Sequence, residues 1–241
     1  MFPFIYYGSL IILIPGIIFS FWAQLRIKNT FNKYSRVNSK AGWTAEDMSA
    51  HLLRRNSCDS VAIRPIKGNL TDNYNPSNDV LSLSQTVYGR TSIAALGVAA
   101  HECGHALQKH TDSVLLKLRS FLVPVTNIGS RLAIPIAIIG LILEYLIGGT
   151  GENTGSYILG FGIFLYSLST IFALITLPVE IDASRRAVSM LSDSGILDNG
   201  EIRQARKVLY AAALTYVAAL LTSFLYLLRF ILILSRFRKR D

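Results

Sequence analysis

Charge is what this sequence has least of. Asp, Glu, Lys and Arg make up 16% of its 241 residues, and 51% are hydrophobic. Soluble domains carry about 25% charged residues. Such a balance excludes a disordered, self-repelling chain and disfavours an ordinary soluble globule, and it points to segments held in a bilayer. Cysteine is nearly absent: Cys58 and Cys103 stand alone, with no Cys-x-x-Cys pair, which excludes a disulfide framework. Acids are outnumbered by bases, 15 to 24, for a formal net charge of +9. A basic chain can bind nucleic acid or lie against anionic lipid. Here the cations border apolar runs, as Arg26, Lys28, Arg229, Arg236, Arg238, Lys239 and Arg240 do, and do not interleave with aromatic residues. This pattern favours lipid and excludes nucleic acid as the partner. Internal repeats and low-complexity segments are also absent, and no motif bears on oligomeric state.

What is present is a set of apolar runs, at residues 4–22, 132–147, 157–177 and 209–234. They approach or exceed the roughly 20 residues a helix needs to cross a bilayer. The first has no basic start, and Gln-Leu-Arg-Ile-Lys follows it in place of a small-residue cleavage site, so it reads as a retained anchor. The expected architecture is a mainly α membrane protein with about four membrane helices around a zincin-like catalytic unit. It divides into an N-terminal anchor (1–22), a cytoplasmic catalytic region (23–131), a transmembrane hairpin (132–177), a cytoplasmic helical segment (178–208) and a C-terminal membrane helix with a basic tail (209–241). Residues 113–130 mix apolar residues with Lys117, Arg119, Pro124 and Asn127, and are expected to lie along the membrane surface. Five cations follow the first run (Arg26, Lys28, Lys33, Arg36, Lys40), and residues 148–156 contain no Lys or Arg. The positive-inside rule then puts 23–131 and 179–207 in the cytoplasm of a multi-pass protein of the bacterial cell membrane. A full crossing by the last run would leave its basic tail outside, so an interfacial or re-entrant course is the alternative.

Between the first two runs the chain reads as soluble. Thr44 with Asp47 marks a helix start, and 68–79 is a loop rich in Asn, Asp, Gly and Pro. Val80-Leu-Ser-Leu-Ser84 alternates as a short strand does. A helix is expected over 92–109, with a break at Gly195 further on. The first of these carries His101-Glu-Cys-Gly-His105.

Residues four apart project from one helix face, so His101 and His105 can reach one zinc ion, with Glu102 beside them as general base. Cys103 lies about 200 degrees round the helix from His101 and is expected to pack in the core. A catalytic zinc takes a third protein ligand. The metzincin spacing would need Gly and His where this chain has Gln108 and Thr111. His110 and His51 are expected on the surface. The third ligand should therefore be a carboxylate. Glu144 and Glu152 fall near the far membrane face, whereas Glu180 and Asp182 return to the side of His101. Glu180 is the favoured ligand, and Asp182 would orient a ligand histidine through its second nitrogen. These residues make up a gluzincin-type site with one Zn2+ per chain. An extended peptide or protein substrate, a membrane protein included, would pair with an edge strand at Val80, Leu81, Ser82, Leu83 and Ser84. Tyr88 is a possible oxyanion donor.

Segments beyond this motif carry a resemblance. Ala23-Gln24, Phe31-Asn-Lys-Tyr-Ser35, Asp72-Asn-Tyr-Asn-Pro76, Leu81-Ser-Leu-Ser84, His101-Glu-Cys-Gly-His-Ala-Leu-Gln108, Leu177-Pro-Val-Glu-Ile-Asp-Ala-Ser184 and Leu214-Thr-Tyr-Val-Ala-Ala together resemble the YugP-like family of bacterial zinc-dependent membrane proteases, distantly related to the HtpX group. The resemblance covers nearly the whole chain. It implies His101, His105 and Glu180 as zinc ligands and Glu102 as the catalytic acid–base. The chain departs from the family pattern at Ser184, where relatives have Asp, and at Asn73, where the family has His. A membrane metal-binding or sensory protein without hydrolysis, and a scaffold with a degenerate motif, are the rival classes. Only the hydrolase needs Glu102.

Overall fold

The computed structural model describes residues 9–147 and 153–237. The start of the first apolar run, most of the 148–155 linker and the end of the basic tail lie outside the described residues. After a 3-10 turn at Ser9–Leu13 the elements run α1 (Ile14–Tyr34), α2 (Ala45–Arg55), β1 (Ala62–Ile66), β2 (Asn73–Asn75), β3 (Val80–Ser84), α3 (Ile93–His110), α4 (Val114–Ile147), α5 (Thr154–Ser194) and α6 (Asn199–Phe237). The chain is mainly helical. Four of its helices, Ser9–Tyr34, Val114–Ile147, Thr154–Ser194 and Asn199–Ser235, are long and apolar enough to cross a membrane.

Two compact units share these helices. One comprises residues 9–22, Leu118–Leu177 and 216–237. Small residues hold it together. A Cβ on Gly140 would run into the backbone of Leu159, and one on Gly162 into the backbone of Ala137. Close backbone approach through small residues is how helices associate where apolar burial gives no advantage. Phe121, Ile128 and Tyr145 are exposed on its outer surface, as side chains meeting lipid would be. Arg229 is buried, and its Nε donates to Ser9 Oγ at 3.1 Å. This cation does not interrupt α6, which runs unbroken through it. α4 is also continuous, where the sequence predicts a surface segment over 113–130 followed by a separate span. Pro124 and Pro135 sit inside the helix, as apolar helices of this length tolerate.

The second unit comprises Ala23–Lys117 and Pro178–Thr215. Its core joins Met48 and Leu52 of α2, Leu81 and Leu83 of β3, Ile93 and Leu96 of α3, Leu191 of α5 and Val208 of α6. α2 starts at a cap in which Thr44 Oγ1 accepts from the Asp47 amide at 3.3 Å. α3 starts at Ser92, whose Oγ accepts from the Ala95 amide at 3.4 Å. Both satisfy donors left open in a first helical turn. Gly195, at φ +69°, ends α5 in the left-handed conformation glycine adopts without strain.

The sheet corrects one expectation. Its order is β1-β3-β2, with β1 parallel and β2 antiparallel to β3. Val80–Ser84 is therefore the interior strand, not an edge. β1 pairs along its whole length, from Ala62↔Val80 to Ile66↔Ser84. β2 covers the other side from Val80 to Ser82. Beyond it Asp72 Oδ1 accepts from the Ser84 amide at 2.7 Å and Asp72 Oδ2 from Ser84 Oγ at 2.8 Å. The alternation of apolar residues in Val80–Ser84 reports a buried face, and says nothing of how many neighbours the strand has. The free rims belong to β1, which contains Pro65 as edge strands can, and to β2.

Asp79 ties the sheet to α3. It accepts from Tyr74 Oη and from Ser60 Oγ, and faces Lys109 Nζ and His110 Nε2, each at 3.3 Å. His110 is thus engaged at the helix end. Burial works against the charged form of Asp79, but these four donors hold its carboxyl well below the usual range.

Candidate metal centre

The site is built from α3 and the polar end of α5. Helical spacing puts His101 and His105 one turn apart on α3, with ring centroids 4.8 Å apart. Gly104 lies between them in sequence, and a Cβ there would collide with the backbone carbonyl of Ala183 on α5. The missing side chain lets the two backbones approach, and brings Glu180, almost one turn before Ala183, to the histidines. Gly97 gives α3 a closer approach to α6 in the same way, since a Cβ there would lie 3.4 Å from the Ala205 methyl.

Glu180 Oε2 lies 3.1 Å from His101 Nε2 and 3.5 Å from His105 Nε2. All three donor atoms fall within 4.8 Å of one another. Two ligand atoms about 2.0–2.1 Å from a tetrahedral zinc are about 3.3 Å apart, and the two observed separations bracket that value. Glu180 is 1% exposed and His105 7%, so this is an enclosed carboxylate–imidazole cluster and not a surface ion pair.

The second nitrogen of each histidine is held as well. Gln108 Nε2 donates to the Val179 carbonyl and to Asp182 Oδ2, both at 2.8 Å. Both partners only accept, which fixes the amide and leaves Gln108 Oε1 facing His105 Nδ1 at 2.9 Å. A carbonyl oxygen can only accept, so His105 Nδ1 carries a proton, and Nε2, which faces Glu180, is the nitrogen placed to ligate a metal. A neutral imidazole held this way, with Nε2 beside a carboxylate, is a donor set that ligates a cation. His101 Nδ1 is 3.1 Å from Ser184 Oγ. The donor set fits zinc.

Several sequence expectations can be placed on this geometry. The structure brings His101, His105 and Glu180 together. Asp182 supports a ligand histidine only through Gln108, and it is itself held by Arg186 Nε at 2.7 Å. Ser184 touches His101. Gln108 is a functional residue that no sequence motif singles out. It lies almost one turn past His105 on the same face of α3, and the structure buries it to 1% exposure. Cys103 is buried and packs with its Sγ 3.9 Å from the Ser49 carbonyl. Burial pushes its thiol up to about 12. His51 stands edge-on to Trp43 with centroids 5.2 Å apart, half-buried and away from the cluster. Tyr88 is 38% exposed, and Val80–Ser84 contributes no donor to the cluster.

Glu102 is 8% exposed. Burial pushes its carboxyl above the ordinary range. His101 and His105 pull it the other way, while Glu180 and Asp72 add to the rise.

The family model described as "Putative neutral zinc metallopeptidase" matches residues 9–235. A curated relative, "Putative membrane protease YugP" of Bacillus subtilis (strain 168), is 43% identical over 215 residues, covering 89% of this chain and 91% of the relative. No solved structure matches the chain. Matched along nearly its whole length by both, the chain belongs to the YugP-like family of zinc metallopeptidases.

Proposed function

We propose that this protein is a membrane-embedded, zinc-dependent endopeptidase that hydrolyses peptide bonds at the cytoplasmic membrane face. The donor set of two histidines and a carboxylate carries the reading. Its imidazoles are fixed through their second nitrogens, and the helix that bears them also bears a buried glutamate. The cations after the first apolar run support the cytoplasmic orientation.

Zinc held by His101, His105 and Glu180 would supply Lewis acidity, polarising a scissile carbonyl and lowering the pKa of a water to about 7. Glu102 is the proton carrier. It takes the proton from the attacking water and delivers it to the leaving nitrogen as the C–N bond breaks. The substrate is an extended stretch of peptide, the form that backbone pairing with a strand rim selects. With β3 enclosed, the rim of β2 is the surface that would take it. There Asn73 and Asn75 are exposed while Tyr74 is buried. The family resemblance implies a His at the position of Asn73. Its amide can donate a hydrogen bond but cannot relay a proton.

The test compares wild type with Glu102→Gln, each purified in detergent, for zinc content and for cleavage of an unstructured model protein. The expected result is one zinc in both and cleavage by the wild type alone. Equal cleavage by both, or none by either with zinc bound, would leave a metal-binding or sensory protein as the reading.

A further inference from the structure

We propose that a basic basin between α1 and α6 binds the phosphate of an anionic phospholipid headgroup. Five cations line an open cavity of about 620 Å³: Arg26 and Lys33 from α1, and Arg203, Arg206 and Lys207 from α6. Tyr34 and Tyr210, with Asn29 and Thr30, complete the lining, and no carboxylate takes part in it.

The arrangement follows from helical spacing. Arg26 and Lys33 are seven residues apart, and Arg203, Arg206, Lys207 and Tyr210 fall at i, i+3, i+4 and i+7, so each set occupies one helix face. The opposite face of α6 is committed to the core through Ala205, Val208 and Leu209. Like charges at these spacings oppose one another, so the cluster does not serve the helix that carries it. Elsewhere in this unit cations meet acids, as in Lys40–Asp198, Lys109–Asp79 and Arg186–Asp182. Lys33, Arg203, Arg206 and Lys207 have no ion pair among the described residues. A concave surface with five like charges and phenol, amide and hydroxyl donors suits a phosphoryl anion.

Position along the helices selects the lipid as the source. Arg26 lies four residues past Trp22, where the apolar run of α1 ends, and Lys207 stands just before the apolar run of α6, with Tyr210 in its first turn. At 1.5 Å per residue Arg26 is about 6 Å beyond Trp22, which is about the depth of one headgroup layer. Tyr and Trp at this level are the usual interfacial anchors.

The test uses the full chain in a neutral detergent, titrated with dihexanoyl-phosphatidylglycerol, dihexanoyl-phosphatidylcholine or inorganic phosphate, with binding read from the thermal transition. Phosphatidylglycerol is expected to bind at least about tenfold more tightly than either other probe. A Lys33→Gln, Arg206→Gln double variant should weaken it about tenfold or more, by the contribution of each cation near an anionic headgroup, with zinc content unchanged. A Lys33→Arg, Arg206→Lys pair, which keeps the charge, should retain binding. An Arg64→Gln, Lys67→Gln pair on the exposed surface of β1 and the residue after it should leave binding as it is. Equal binding of the two lipids would overturn the proposal. So would phosphate binding as tightly as phosphatidylglycerol, equal weakening by the Arg64/Lys67 pair, or loss of binding in the charge-keeping pair.

Discussion

Replacing Gly104 with Ala tests how the site is assembled. On an isolated helix this change stabilises, because glycine costs about 1 kcal/mol relative to alanine. Here a new Cβ would collide with the Ala183 carbonyl oxygen and lie 3.0 and 3.2 Å from the Ala183 carbonyl carbon and Cα. These are backbone atoms, so relief requires α3 and α5 to separate. Restoring ordinary contact takes on the order of 1 Å, and overpacking of this kind costs about 1–3 kcal/mol. The same separation carries Glu180 away from His101 Nε2 and His105 Nε2, now 3.1 and 3.5 Å distant. A zinc ligand tolerates about 0.2 Å of misplacement. Gly104→Ala should therefore lower the melting temperature and weaken zinc binding by at least about tenfold, measured by competition with a chromogenic chelator. Gly160→Ala is the control, since nothing lies within 4 Å of a Cβ there. It should bind zinc as the wild type does. A Gly104→Ala protein that melts higher and keeps its zinc would refute the reasoning.

Two more predictions follow from the surrounding hydrogen bonds. Gln108→Leu keeps the volume of the side chain but frees the His105 tautomer, and it should weaken zinc binding about 10–100-fold with little change in helix content by circular dichroism. Asp79→Asn should flatten the acid limb of stability. The carboxyl is held below its unfolded value of about 3.9, so its contribution is complete above that pH and is lost as pH falls through the folded value. Melting scans from pH 7 down to pH 3 should show the wild type beginning to lose this increment below about pH 4, and the variant, already less stable at pH 7, losing less.

Local and non-local features differ in how far they can be read from the sequence. His101, Glu102 and His105 share one helix, and four-residue spacing places the histidines without any knowledge of the fold. Glu180 lies 79 residues from His101, yet two apolar runs and the side to which the chain returns narrow the choice to it and Asp182. Gln108 and Gly104 could not be placed this way. Their roles depend on how closely α5 approaches, and that distance is set by packing. The interior position of Val80–Ser84 was hidden for a related reason. β1 contains a proline and β2 is three residues long, so neither announces itself as a strand, and β3 alone looks like an edge. Lys117, Arg119, Pro124 and Asn127 read as a segment on the membrane surface because charge, amide and proline are unusual inside a span, yet α4 runs unbroken through them.

The most direct test of the metal centre is the zinc content and zinc K-edge X-ray absorption of the purified protein, with Glu180→Gln measured alongside. One zinc per chain is expected, with nitrogen and oxygen neighbours at about 2.0–2.1 Å, two of them imidazoles, and with zinc diminished or lost in the variant. A sulfur shell at about 2.3 Å, no zinc in the wild type, or an unchanged spectrum in Glu180→Gln would contradict the account.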